Sequence, residues 1–89
     1  MMPEHDQLLK LSEVPLKQKV RIKHINDQLL RMQLLNLGIL PEMELVIERI
    51  APLGDPLQLN VNGFFLSLRR EDAQKILVDS IAADHLVDK

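Results

Sequence analysis

At 89 residues the chain has room for one domain, and with no cysteine it can form neither a disulfide nor a thiolate metal cluster. Eleven Lys and Arg against 13 Asp and Glu leave a net charge of −2, which argues against a polycation built for nucleic acid. Its apolar runs are far shorter than the ~20 residues that span a bilayer, and MMPEHDQLLKLSE lacks the basic start of a secretory signal; a protein of the reducing cytoplasm fits both.

Residues 1–10 read as a flexible leader. Leu8, Leu9, Leu11 and Val14 around Ser12 suggest a short docking turn, and Pro15 favours extended chain after it. KQKVRIKHI then alternates, with Lys17, Lys19, Arg21 and Lys23 on one side and Gln18, Val20, Ile22 and His24 on the other. Period two predicts a strand with one wet face. In NDQLLRMQLLNLG the period changes. Leu30, Leu34 and Leu37 recur every three or four residues, widened by Leu29, Met32 and Leu35. Asn26 or Asp27 can cap this helix of about three turns, and Gly38 can take the left-handed position after it.

ILPEMELVIERIAPL turns at Pro41-Glu42 and continues as a strand. Apolar residues on both parities (Leu45, Val46, Ile47, Ile50) predict a central strand or a bent one. Pro52-Leu53-Gly54-Asp55-Pro56 is a corner, because two prolines cannot donate and Gly54 permits positive φ. LQLNV and FFLSLR flank Asn62-Gly63, a strong hairpin signal. Alternation sends Leu57, Leu59, Phe64, Leu66 and Leu68 inward and leaves Phe65 outside with Ser67 and Arg69. REDAQKI gives one helical turn, ILVDSI the last strand, and residues 82–89 a polar tail that frays.

The sum is a mainly β domain at 11–81 with one or two short helices. Five short strands in so small a domain hide their edges best by curling into a barrel.

Three stretches also resemble, in order and spacing, the FeoA family: RMQLLNLGILP, RIAPLGDPLQLNVNG and LSLRREDAQKILV. The resemblance spans roughly residues 11–81 and is carried by Leu37-Gly38, the PLGDP corner and the Leu-Arg after the hairpin. It implies a small SH3-like β-barrel and a non-enzymatic cytosolic accessory of ferrous iron uptake. The implied partner is FeoB, a membrane transporter with its own GTP-binding domain. Similar barrels end the iron- and manganese-dependent repressors, so the alternative is a stand-alone metal-sensing barrel that binds a transition metal ion directly. Two glycines usual in the family are missing. Glu42 stands after Pro41, and no glycine precedes the first strand near Lys17-Gln18. A type I turn with negative φ would accommodate Glu42 without strain.

The chemistry-bearing residues are few. Neither a P-loop nor a dinucleotide fingerprint occurs, and the PLGDP corner has too few donors to cradle phosphate. His5, His24 and His85 are isolated, with Glu4-His5-Asp6 and Asp84-His85-Asp88 as weak oxygen-rich clusters. No ligand set for a metal or cofactor can be named from them. By parity His24 is a hydrogen-bonded rim residue. Ser12, Ser67 and Ser80 have no histidine and acid beside them in sequence, so no enzyme is expected.

What remains points to partner binding. Lys19, Arg21 and Lys23 form a basic stripe, either a solvated face or a contact for an acidic surface. The Leu-rich helix has more apolar stripe than one barrel can cover, which makes Leu30, Met32 and Leu34 interface candidates with Phe65. Near-absence of aromatics argues against nucleic acid, and weak self-association is compatible with the same exposed groups. Gly38, Pro52, Gly54, Asp55, Pro56, Asn62 and Gly63 are assigned to turns.

Overall fold

The computed structural model describes residues 8–81. Six strands form one antiparallel sheet: β1 (Leu9–Lys10), β2 (Val20–Ile25), β3 (Glu44–Ile50), β4 (Leu57–Val61), β5 (Phe64–Leu68) and β6 (Ile76–Ser80), in the order β1-β6-β2-β3-β4-β5. A 3-10 turn (Leu11–Glu13) and two helices, α1 (Gln28–Asn36) and α2 (Arg70–Ala73), complete it. The strand missing from the five expected is β1. Its two residues lie in the stretch assigned to the leader and pair Leu9 with Val78 and Lys10 with Leu77. So short a strand carries too little alternation to be read from sequence.

The sheet curls around an aliphatic core. Leu11, Val20, Ile22, Ile47, Leu57, Ile76 and Val78 are almost wholly buried, and among the described residues no polar side chain is buried with them. Bulges give the curl. On β2 the register shifts between Ile22 and His24, and on β3 between Ile47 and Arg49. Each extra residue bends its strand and reverses the side-chain parity beyond it. After the first bulge Ile25 turns inward and His24 outward into solvent, contrary to the rim position that strict alternation assigns to His24. The second bends β3, which is also central, and brings Ile50 against the core on the parity opposite to Leu45 and Ile47.

α1 is placed by its ends. The Asp27 carboxylate accepts the Leu30 N–H at 2.8 Å, and Gly38 at φ 87° takes the left-handed position beyond Leu37. Leu30 and Leu34 face the barrel together with Ile39.

The PLGDP corner is fixed by Arg70. Its Nε donates to the Gly54 carbonyl at 2.8 Å, its Nη1 to the Ser12 carbonyl at 3.2 Å, and its backbone N–H to the Asp55 carboxylate at 3.0 Å. One side chain thus links the corner, the 3-10 turn and α2. The corner has a structural task.

Two backbone expectations are overturned. Glu42 has φ 79°, so the turn at Leu40–Met43, closed by Met43 N–H to the Leu40 carbonyl at 3.3 Å, is type II and not type I. Pairing selects it. The Ile22 carbonyl accepts the Glu42 N–H at 2.6 Å while the Ile22 N–H donates to the Met43 carbonyl at 2.9 Å, so two residues of this strand oppose one on β2. Lys17, at φ 68°, is the second non-glycine in the left-handed region, where the family's other glycine is missing. The third is Asn62, which with Gly63 at φ 89° makes the hairpin turn. The other correction concerns Phe64. It has the inward parity, opposite the buried Val61, but lies on the edge strand beside the hairpin turn and remains 46% exposed. Burial along β5 deepens only toward Leu68.

Candidate functional site

The most apolar surface is the outer side of α1. Leu29, Met32 and Leu35 are 67, 53 and 52% exposed, and Leu37 and Leu40 follow at 51 and 45%. The spacing explains the arrangement. Leu30 and Leu34, four apart, form the inward stripe of a helix that touches the barrel along one side only. Residues 29, 32 and 35 recur every three and lie on the far side. Of the three interface candidates on this helix, Met32 is therefore at the surface, whereas Leu30 and Leu34 are buried at 4% each and cannot meet a partner directly. Leu29 and Leu35 take their place. The sequence held the signal, since six large apolar residues exceed one buried stripe, but it could not say which stripe faces inward.

Phe65 lies elsewhere, on β5 beside the hairpin turn, 59% exposed and opposite Asn60. Leu53, at the tip of the corner, is 96% exposed.

The basic stripe meets a matching row of acids on and before β3. Lys17 pairs with Glu48, Arg21 with Glu44 at 3.2 Å, and Lys23 with Glu42 at 3.1 Å, while Lys19 stands 3.9 Å from Glu44. Glu48 also accepts from the Asn60 amide at 3.1 Å. The Lys17 ammonium first, and then the Asn60 amide, hold the Glu48 carboxyl below its ordinary value of 4.5. Lys19, Arg21 and Lys23 thus belong to a nearly neutral ladder across two strands, worth little per exposed pair. An acidic partner would compete with carboxylates already in place.

A second ion pair joins α1 to the end of α2. Lys75 contacts Asp27 at 3.1 Å and Asp72 at 3.8 Å. The Leu30 N–H, then Lys75, lowers the Asp27 carboxyl, and Asp27 raises the Lys75 ammonium in return.

Among the described residues no group of three His, Cys, Asp or Glu side chains could hold a metal ion. His24 is exposed, and the clusters around His5 and His85 lie outside the described residues. The concave sites are shallow and open. One, beside Arg49, Pro52, Pro56, Gln58 and Ser67, has about 260 Å³. Among the described residues no helix is long and apolar enough to cross a membrane.

Comparison with known proteins shows the family. The FeoA domain model matches residues 9–80. A FeoA-like protein from Clostridium acetobutylicum is 37% identical, with 84% of this chain and 88% of that one covered at a TM-score of 0.76. The FeoA protein from Chlorobium tepidum is 35% identical over 83% of this chain and 71% of its own, at 0.78. A Stenotrophomonas maltophilia FeoA, solved with zinc and described as a prokaryotic SH3 domain protein, is 26% identical over 80 and 89% of the two chains, at 0.69. An SH3-like barrel with this corner, this hairpin and this helix, matched along nearly its whole length, belongs to the FeoA family of ferrous iron transport proteins.

Proposed function

We propose that this chain is a non-enzymatic accessory of ferrous iron uptake that docks on the cytoplasmic part of a FeoB-type transporter through the outer face of α1. The observation that carries the reading is the exposed row Leu29, Met32 and Leu35 on a helix whose other side already fills the barrel. Such a row costs solubility and is retained where a partner covers it. The ladder of Lys19, Arg21 and Lys23 with Glu42 and Glu44 supplies a polar rim, and Phe65 stands apart from it as a second apolar contact. Docking would act by favouring one state of the transporter or of its GTPase domain, by the difference in affinity for the two.

Titration calorimetry with the transporter's cytoplasmic domain tests it. Met32→Glu and Leu29→Glu place a charge on the outer face without touching the core, so melting should be little changed. Binding should fall by roughly 2 kcal/mol or more if these are central contacts. Phe65→Ser sorts the second contact from the first. Unchanged affinity in both helix variants would dismiss this face.

A further inference from the structure

The outer edge of β5 is bare. β5 ends the strand order, and among the described residues no backbone bond from another element reaches Phe65 or Ser67. Hairpin geometry says which groups are free. A two-residue turn makes Val61 and Phe64 a hydrogen-bonded pair, and alternation makes Leu59 with Leu66 and Leu57 with Leu68 the next two. The N–H and C=O of Phe65 and Ser67 therefore point away from β4. Edge strands are commonly protected by Lys, Pro, a bulge or an inward charge. Phe64–Leu68 has none of these, and its register with β4 is unbroken.

We propose that this edge pairs with its own copy, the two β5 strands running antiparallel about Leu66. In that register Phe65 of one copy and Ser67 of the second exchange both backbone bonds, and the symmetric pair does the same, giving four in all. Side chains agree with the symmetry. Leu66 meets Leu66, Phe64 meets Leu68, and Phe65 meets Ser67 on the opposite face. Charge agrees as well: Arg69, the nearest ionised residue, falls opposite Gly63, so no like charges face one another. A foreign strand would need a matching uncharged stretch, whereas the chain supplies its own. The area is modest. Two half-exposed phenylalanines per copy offer ~100 Å² each, well below the ~1,200 Å² of a stable interface, so pairing is reversible and strengthens with concentration.

The test uses the purified chain alone, so its failure is separate from any failure of transporter docking. Sedimentation across micromolar to millimolar concentration should show mass rising from 10.2 kDa toward twice that. Amide exchange by NMR should slow at Phe65 and Ser67 as concentration rises, while Leu66, already bonded to β4, should not respond. Ser67→Pro removes an outward N–H and should weaken association about tenfold or more. Phe65→Lys, which leaves the backbone untouched, should do likewise if the proline variant fails to fold. A chain monomeric at millimolar concentration overturns the proposal. So does protection at Phe65 and Ser67 that is independent of concentration, or association that survives both β5 variants and is lost in Met32→Glu.

Discussion

Glu42 is the residue where local preference and tertiary demand conflict most openly. A left-handed non-glycine costs ~1 kcal/mol, yet Glu42 must adopt it for its strand to oppose Ile22 with two residues. Its carboxylate recovers part of that cost by pairing with Lys23 at 3.1 Å. Glu42→Gly should therefore stabilise the fold, by up to ~1 kcal/mol. The gain should be larger in high salt, where the lost pair would have been screened. Urea unfolding at low and high salt measures both, and a loss of stability at each would show that the turn carries no strain.

At the scale of the element, α1 is held by the cap at Asp27 and by Lys75. The folded Asp27 carboxyl lies below 3.8, so its contribution is complete above that value and is lost as pH falls through the lower folded value. Glu48, held below 4.5, acts in the same sense from β3. Stability should thus decline below about pH 4, and Asp27→Asn separates the causes. Asparagine caps as well as aspartate but does not titrate, so the variant should keep its helix and flatten the acid slope. Urea midpoints from neutral pH to pH 2 would show it; an unchanged slope would remove Asp27 from the account. Lys75 acts oppositely, since its raised value keeps its contribution until pH exceeds 10.5.

At the scale of the molecule, closure depends on a contact between distant parts of the chain. Arg70 reaches Gly54 and Ser12, which lie 16 and 58 residues away. Arg70→Ala should cost about 2 kcal/mol in thermal or urea unfolding, because two carbonyls lose a charged donor. Arg70→Lys should recover little, since a single ammonium does not reproduce a planar fork. A wild-type midpoint for Arg70→Ala would mean that the corner holds its shape unaided. The same corner offers no cradle of consecutive amides, so the purified chain should not bind GTP at micromolar concentration; calorimetry with the nucleotide checks this.

The sequence by itself determined the order of the elements from β2 onward, the ends of α1, the Asn62-Gly63 hairpin and the family. Each depends on neighbours within a few residues: period, caps, turn chemistry and short motifs in register. Tertiary structure alone decided the rest. It chose Leu30 and Leu34 over Met32 as the buried stripe, and it turned His24 outward at a bulge set by its pairing with β6. It left Phe64 exposed although its cross-strand partner Val61 is buried, because β5 ends the sheet and has a neighbour on one side only. It set φ at Glu42 through Ile22, twenty residues away. It also matched cations on and before β2 to acids on and before β3. These outcomes rest on contacts between residues far apart in the chain, which no local pattern encodes.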